Sequence, residues 1–135
     1  MELSRSCIPY TPLKRDLNEC RVALVSTSGA YVEGTQPFTD NDLSFRLIPS
    51  DTDTKTIRFV PGHFDTAPGA EDPNVMFPLD RLRELRSSGA IGKLSDNYIS
   101  MGLTTELRKL KEVVSWEIAE TLMKFRPDVV VLTGG

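Results

Sequence analysis

The chain has 135 residues, two cysteines, one histidine and a formal net charge of −3, enough for one domain with a core, since a domain of this size buries roughly two-thirds of its unfolded surface. Acidic and basic residues are interspersed, which argues against a basic nucleic-acid footprint and against a charged tail. No apolar run approaches the ~20 residues of a membrane helix, and the stretch from Met1 to Ser6 is no signal peptide, so a cytoplasmic protein is expected.

Residues 1–19 carry Pro9, Pro12 and charges from Lys14 to Glu19, and read as an arm with at most a short helical turn; residues 20–135 read as one α/β domain. Cys7 and Cys20 have none of the tight spacings of zinc, redox or haem sites. Cys20, at the opening of the first strand, is expected to be a small buried hydrophobe. Neither cysteine reads as a nucleophile, and a disulfide between them is not expected in a reducing compartment.

Arg21 to Ser26, RVALVS, is a short apolar run rich in β-formers, a first strand of an α/β sheet. It ends in Thr27-Ser28-Gly29, where glycine permits a tight turn or close approach of backbone to a ligand. The spacing is not G-x-G-x-x-G, so no dinucleotide fingerprint is read, and a simple turn after a strand remains the alternative. Residues 35–42 are polar and turn-rich. Leu43 to Ile48 alternates as a strand with one wet face would, and Pro49-Ser50-Asp51 breaks it. A further short strand around Ile57 and Phe59 is expected at the sheet edge.

His63 is the lone histidine. A pKa of about 6.5 suits acid–base work or anion binding; the plainer alternative is a loop histidine bonded to nearby backbone. Asp65 could orient it if the segment is extended. No metal-ligand spacing is recognised. Ala67 to Phe77 reads as a loop with a turn at Asp72-Pro73-Asn74. Pro78 opens a helix of about ten residues with Leu79, Leu82 and Leu85 on one face and Gly89 as its stop. Its arginines read as a solvated face, with anion binding by Arg81 the lesser reading. Ile91 and Leu94 are expected to tuck in behind it.

Asn97 to Met101 reads as a strand ended by Gly102. From an N-cap at Thr104, the apolar residues Leu107, Leu110, Val114, Ile118, Leu122 and Phe125 mark an amphipathic helix of about six turns. Trp116, Ala119 and Met123 widen the stripe, and the extra width is read as core or as a subunit contact. Arg126-Pro127 stops the helix. Val129 to Leu132 then suits a parallel strand covered on both faces, and Thr133-Gly134-Gly135 sits at its carboxyl end, the edge where ligands gather in open α/β sheets. The expected fold is a three-layer α/β domain with a mainly parallel, flavodoxin-like sheet of about five strands and two principal helices. Because the helix that should follow the last strand is lacking, the domain is read as incomplete at its C-terminus, hence as a fragment. The under-covered sheet face predicts pairing with another copy.

Several stretches together resemble a known family: RVALVSTSGAYV, the S-F-R-L-I-P of Ser44 to Pro49, HFDT at His63 to Thr66, DPNVMFPLDRLRELRSSGAIG from Asp72 to Gly92, and the closing DVVVLTGG. They are similar to the selenoprotein B family of the glycine, sarcosine, betaine and D-proline reductases, from about Arg21 to Gly135. The short distance from the first strand to the final LTGG is most like the D-proline reductase small subunit. The resemblance implies reductive cleavage at the α-carbon of an amino acid by a selenolate, with a partner thiol or selenol completing the reaction. It also implies a pyruvoyl group on a separate subunit and other reductase subunits as partners. It places selenocysteine directly after the T-G turn, so the nucleophile is expected after Gly135 and the chain itself holds no catalytic residue. A product ending at Gly134-Gly135 is what reading UGA as stop would leave, and such a chain is expected to be inactive alone. By strand-end position and resemblance, Thr27, Ser28, Gly29, Thr133, Gly134 and Gly135, with His63 and Asp65 nearby, are the expected substrate-binding residues. Two other readings stand beside this one: a racemase- or lyase-like enzyme with a downstream cysteine, and a complete, non-catalytic flavodoxin-like module docking through the Trp116 face.

Overall fold

The computed structural model describes residues 11–61 and 64–134. Its organising strand is β1 (Arg21–Ser26), five of whose six residues are buried. Flanked on both sides, β1 has no wet face, which is why RVALVS is apolar almost throughout. On one side it pairs in parallel with β5 (Lys93–Leu94) along its first half and with β6 (Asn97–Met101) along its second. On the other side it pairs in parallel with β7 (Val129–Thr133) along nearly its whole length. The remaining strand of this sheet, β3 (Phe45–Pro49), lies antiparallel to β6 at the other edge. The sheet is therefore mixed and mostly parallel, with β5 and β6 sharing one position beside β1. β3 starts two residues later than the alternation suggests and takes in Pro49, which an edge strand tolerates because one side of its backbone needs no partner.

The strand around Ile57 and Phe59 corrects the sequence reading. β4 (Ile57–Phe59) does not join the main sheet; it pairs antiparallel with β2 (Ala30–Val32) in a separate two-stranded sheet. Strands of three residues leave too little alternation to be read from a period. The segment read as a loop after Asp65 also holds a short helix, α1 (Ala67–Glu71), with Pro68 in its first turn.

One face of the main sheet carries the core. Val22 and Leu24, Tyr98 and Ile48 pack there with Ala30 and Ile57 of the small sheet, with Phe77, and with Leu79 and Leu82 of α2 (Leu79–Ser87). Burying a side chain such as Leu24 contributes about 2 kcal/mol. Ile91 is buried and Leu94 packs against the cluster, as expected. The Tyr98 ring meets Phe77 edge-on at 6.3 Å, and burial pushes its hydroxyl pKa up to about 12. Ser88 caps α2 and is followed by Gly89 at φ 78°, the left-handed C-terminal stop that the sequence suggests.

The run from Asp72 to Arg83 is a hydrogen-bonded hub. Asp72 accepts from Asn74 N at 3.0 Å and Asn74 Nδ2 at 2.9 Å, while Asn74 Oδ1 accepts from Asp80 N at 2.8 Å, satisfying a free amide of the first turn of α2. Asp80 accepts from Thr54 Oγ1 at 2.7 Å and Arg83 Nη1 at 2.9 Å. Arg83 also donates to Ser50 O and Thr52 O at 2.6–3.0 Å, pinning the 50–54 turn to α2. Arg81, by contrast, is exposed and pairs with Glu84 at 3.0 Å, a solvated arrangement.

The other face of the sheet is buried at Ala23, Val25, Ile99 and Met101. The helix over 107–125 comprises α3 (Leu107–Lys109), a π-helical turn (Leu110–Val114) and α4 (Ser115–Phe125). Its sheltered positions are Leu110, Val114, Ile118, Leu122 and Phe125, of which Val114 is buried and the rest half-buried. Leu107 and Trp116 are each 68% exposed, and Met123 is exposed as well. The helix therefore departs from the expectation in two ways. It begins at 107, because the Thr104 hydroxyl accepts from Glu106 N at 3.1 Å in a local turn instead of capping the helix. The π turn takes an extra residue and resets the phase of the apolar stripe. On β7, Val130 and Leu132 point to the same open side, with Leu132 75% exposed. The full burial expected of the VVVL run is thus not reached: Val129 and Val131 are half-buried against the core, and Val130 and Leu132 are exposed.

Candidate functional site

The three parallel strands end in register. Ser26 of β1 lies opposite Ser100 of β6 and Thr133 of β7, which puts three hydroxyl side chains in a row at the carboxyl edge of the sheet. Ser26 and Ser100 are fully buried. Thr27 N donates to Thr133 O at 3.0 Å, carrying the β1–β7 pairing one residue further. The Ser26 hydroxyl accepts from Ser28 N at 3.2 Å and has Ser28 Oγ at 2.7 Å and Met76 O at 3.4 Å within reach of its proton. Thr133 Oγ1 donates to the same Met76 carbonyl at 3.1 Å. One carbonyl thereby ties the ends of β1 and β7 together, and the Asp72–Arg83 hub holds the turn that presents it. The Ser100 hydroxyl, fully buried, has no hydrogen-bond partner among the described residues.

Beyond Ser28 the backbone opens into a cleft of about 370 Å³, a size in the range of small-molecule sites. Gly29, at φ 67°, joins its two sides: its N donates to Met101 O at 2.9 Å and its O accepts from Val60 N at 3.2 Å. A left-handed residue at that junction favours glycine. Gly102 forms the floor with Gly29, and a Cβ there would lie 3.2 Å from Phe38. Val60, Pro61, Phe64 and Leu103 supply apolar wall.

The polar side of the cleft comes from the 39–42 turn. Asn41 adopts φ 55°, a left-handed conformation that asparagine tolerates, and its Oδ1 accepts from Thr105 N and Thr105 Oγ1, each at 2.9 Å. That bond locks the turn to the segment leaving β6. Asp42 stiffens it further: the Ser44 hydroxyl and amide and the Arg46 guanidinium hold its carboxyl below the usual range. Arg46 in turn lies over the Phe38 ring at 4.4 Å. Asp40 lines the cleft beside Asn41.

Thr27, Ser28, Gly29, Thr133 and Gly134 are brought together at the strand ends; a Cβ on Gly134 would have Thr27 Oγ1 as its nearest neighbour, at 4.0 Å. Asp65 is exposed and accepts from Ala67 N at 2.9 Å, a local turn at the start of α1. His63 and Gly135 lie outside the described residues, as does Cys7. Phe38, Asp40, Asn41 and Thr105 were passed over in the sequence; the signal for them is an asparagine in a polar turn, which suits a left-handed backbone. Cys20 is buried, and that burial pushes its thiol pKa up, the opposite of what a reactive thiol needs. Among the described residues no three His, Cys, Asp or Glu side chains gather as a metal site, and no helix is long and apolar enough to cross a membrane.

The match to known proteins reaches further toward the N-terminus than the stretch from about Arg21 on which the resemblance rested. The model of the glycine/sarcosine/betaine reductase selenoprotein B family matches residues 3–135. The chain is 34% identical over 128 residues to the D-proline reductase subunit gamma of Acetoanaerobium sticklandii, covering 93% of this chain and 53% of the relative. It is 29% identical to the glycine reductase complex component B subunit gamma of Symbiobacterium thermophilum, over 93% of this chain and 31% of that protein. It is 30% identical to the sarcosine reductase complex component B subunit beta of Peptoclostridium acidaminophilum, over 69% of this chain and 23% of that protein. The chain thus spans about half, or less, of these relatives' lengths. No solved structure gives a significant match. With the family model covering nearly every residue, the chain belongs to the glycine/sarcosine/betaine reductase selenoprotein B family.

Proposed function

We propose that this chain is the N-terminal part of a selenium-dependent amino-acid reductase subunit, acting at the carboxyl edge formed by β1, β6 and β7. The observation that carries the reading is the juxtaposition of Thr27–Gly29 with Thr133–Gly134 at that edge, in a chain matched by the family from residue 3 to 135. The reaction breaks an α-carbon–nitrogen bond of glycine, sarcosine, betaine or D-proline: the carbon gains hydrogen, the nitrogen leaves as ammonia or an amine, or in D-proline stays on the opened chain as a primary amine, and two electrons come from a dithiol. A selenocysteine after Gly135 supplies a nucleophile that is ionised at neutral pH. The chain's own residues fit it: Gly134 has no side chain, and Thr27 Oγ1 is the nearest group to it. Thr27 and Ser28 form the opposing wall, the Met76 carbonyl keeps the two strand ends in place, and His63 and Asp65 are the further substrate-binding candidates. Without the residue after Gly135 the chain is inactive.

The strand order, with the β5/β6 position and β7 on either side of β1 and helices in the crossovers, supports a three-layer, flavodoxin-like domain over residues 20–135, with 1–19 as an arm. Exposed Trp116, Met123 and Leu132 support self-association or contact with other reductase subunits in the cytoplasm, one of which carries the pyruvoyl group. The test is to express the gene with an N-terminal tag in a selenium-competent host, isolate the complex, and assay the four substrates with a dithiol, following released ammonia or amine from glycine, sarcosine and betaine and the ring-opened amino acid from D-proline. Turnover of at least one of them is expected. A selenium-loaded complex with no activity on any of them would overturn the reading.

A further inference from the structure

We infer that Thr133 is a positioning residue of the reaction and not a substrate contact: its hydroxyl, bonded to the Met76 carbonyl, sets the direction in which the chain leaves β7. This rests on the reductase reading and adds to it how the strand end that precedes the nucleophile is held. Restraints on that end are few. Among the described residues β7 pairs with β1 alone, so its outer edge carries no ladder. Leu132 is largely exposed and gives the strand end no packing on its face. Gly134 is exposed, and a Cβ on it would meet nothing nearer than Thr27 Oγ1 at 4.0 Å, so no neighbour fixes the glycine, whose backbone is free to turn either way. Beyond the ladder to β1, the strand end is held by two hydrogen bonds at Thr133. Its carbonyl accepts from Thr27 N at 3.0 Å, and its Oγ1 donates to Met76 O at 3.1 Å. The second is the one side-chain hydrogen bond that β7 makes among the described residues.

Met76 is a fixed point for that bond. Its side chain is buried, and a Cβ on Gly69 would come within 2.5 Å of Met76 Sδ. Phe77, next in the chain, is fully buried and meets the Tyr98 ring. Asn74, two residues earlier, is tied to Asp72 and Asp80. The carbonyl is thus held from both directions along the chain, and Thr133 is the group that adjusts to it. The Ser26 hydroxyl lies 3.4 Å from the same oxygen, too far to replace the Thr133 bond. A hydroxyl has one proton to give, and Thr133 gives it to Met76, which leaves no donor for a substrate carboxylate.

The test compares Thr133→Val, which keeps the branched shape and loses the hydroxyl, with Thr133→Ser, which keeps the hydroxyl, each in the isolated complex. Hydrogen exchange read by mass spectrometry should quicken about fivefold at Thr27 in Thr133→Val, the size of one lost hydrogen bond, with the first half of β1 unchanged. In the same complex kcat should fall about tenfold at an unchanged KM, because a displaced nucleophile slows its own step without loosening the substrate. Thr133→Ser should recover most of both losses. The inference is overturned if Thr133→Val exchanges at Thr27 as wild type does, if it raises KM and keeps kcat, or if Thr133→Ser loses as much as Thr133→Val. The two failures are distinct. A wild-type complex without turnover on any of the four substrates sinks the reductase reading, whereas an active wild type matched by Thr133→Val sinks this inference alone.

Discussion

The two sides of the main sheet use comparable apolar patterns and reach different states. On the α2 side, a nine-residue helix buries Leu79 and Leu82 completely or nearly so, and the hub of Asp72, Asn74, Asp80 and Arg83 ties it to the neighbouring turns. On the other side, the much longer helix over 107–125 buries Val114 alone and leaves Trp116, Met123 and Leu107 in solvent, and Leu132 of β7 is exposed as well. Apolar spacing shows which face of a helix can be buried; whether it is buried depends on what lies against it. The short motif-rich stretch is the anchored part of the molecule, and the long periodic one keeps much of its apolar surface exposed.

The largest effect that tests this contrast is a pair of truncations. Leu82→Ala should cost about 2–5 kcal/mol through lost burial and a cavity, and Leu107→Ala should cost under about 0.5 kcal/mol, both read by urea denaturation; equal losses would erase the contrast. Next, Arg83→Met should cost about 2–4 kcal/mol, because it leaves Asp80 and the carbonyls of Ser50 and Thr52 without their charged donor. A loss under about 0.5 kcal/mol would mean the hub is ornamental.

Asp80 adds a pH signature. Burial opposes its ionisation, but bonds from the Thr54 hydroxyl, the Asn74 amide and Arg83 outweigh it and hold the carboxyl below its usual range. A depressed native pKa stabilises the fold above the unfolded value of about 3.9, and that contribution fades as pH falls through the native value. Asp80→Asn should therefore cost about 1 kcal/mol at neutral pH, with the gap to wild type closing in acid. A gap that stays constant from neutral pH into acid would show that the carboxylate's charge is not what matters. The smallest effect on stability is expected at Trp116: Trp116→Glu should change it by under about 0.5 kcal/mol while shifting sedimentation toward monomer. Wild type that sediments as monomer at every concentration would remove the self-association.

The same contrast explains what was legible in the sequence. β1, α2 and β6 could be read because a doubly covered strand and a leucine face leave uninterrupted apolar signals. β2 and β4 could not, since strands of three residues carry no period, and α1 was masked by its proline and glycine. The helix over 107–125 was readable as a helix, but neither its π turn nor its exposure follows from spacing. That Thr27–Gly29 and Thr133–Gly134 meet at the strand ends was legible from the parallel strand pattern on either side of the long helix. The cleft wall at Phe38, Asp40 and Asn41 was not, because it depends on a bond donated by Thr105 N to Asn41 Oδ1 across 64 positions of chain.

The most direct test of the central claim is to read the gene past the codon for Gly135. The selenium-dependent reductase reading predicts an in-frame TGA followed by an open frame. A TAA or TAG with no frame beyond it would contradict that reading and leave the carboxyl edge as a binding site without its nucleophile.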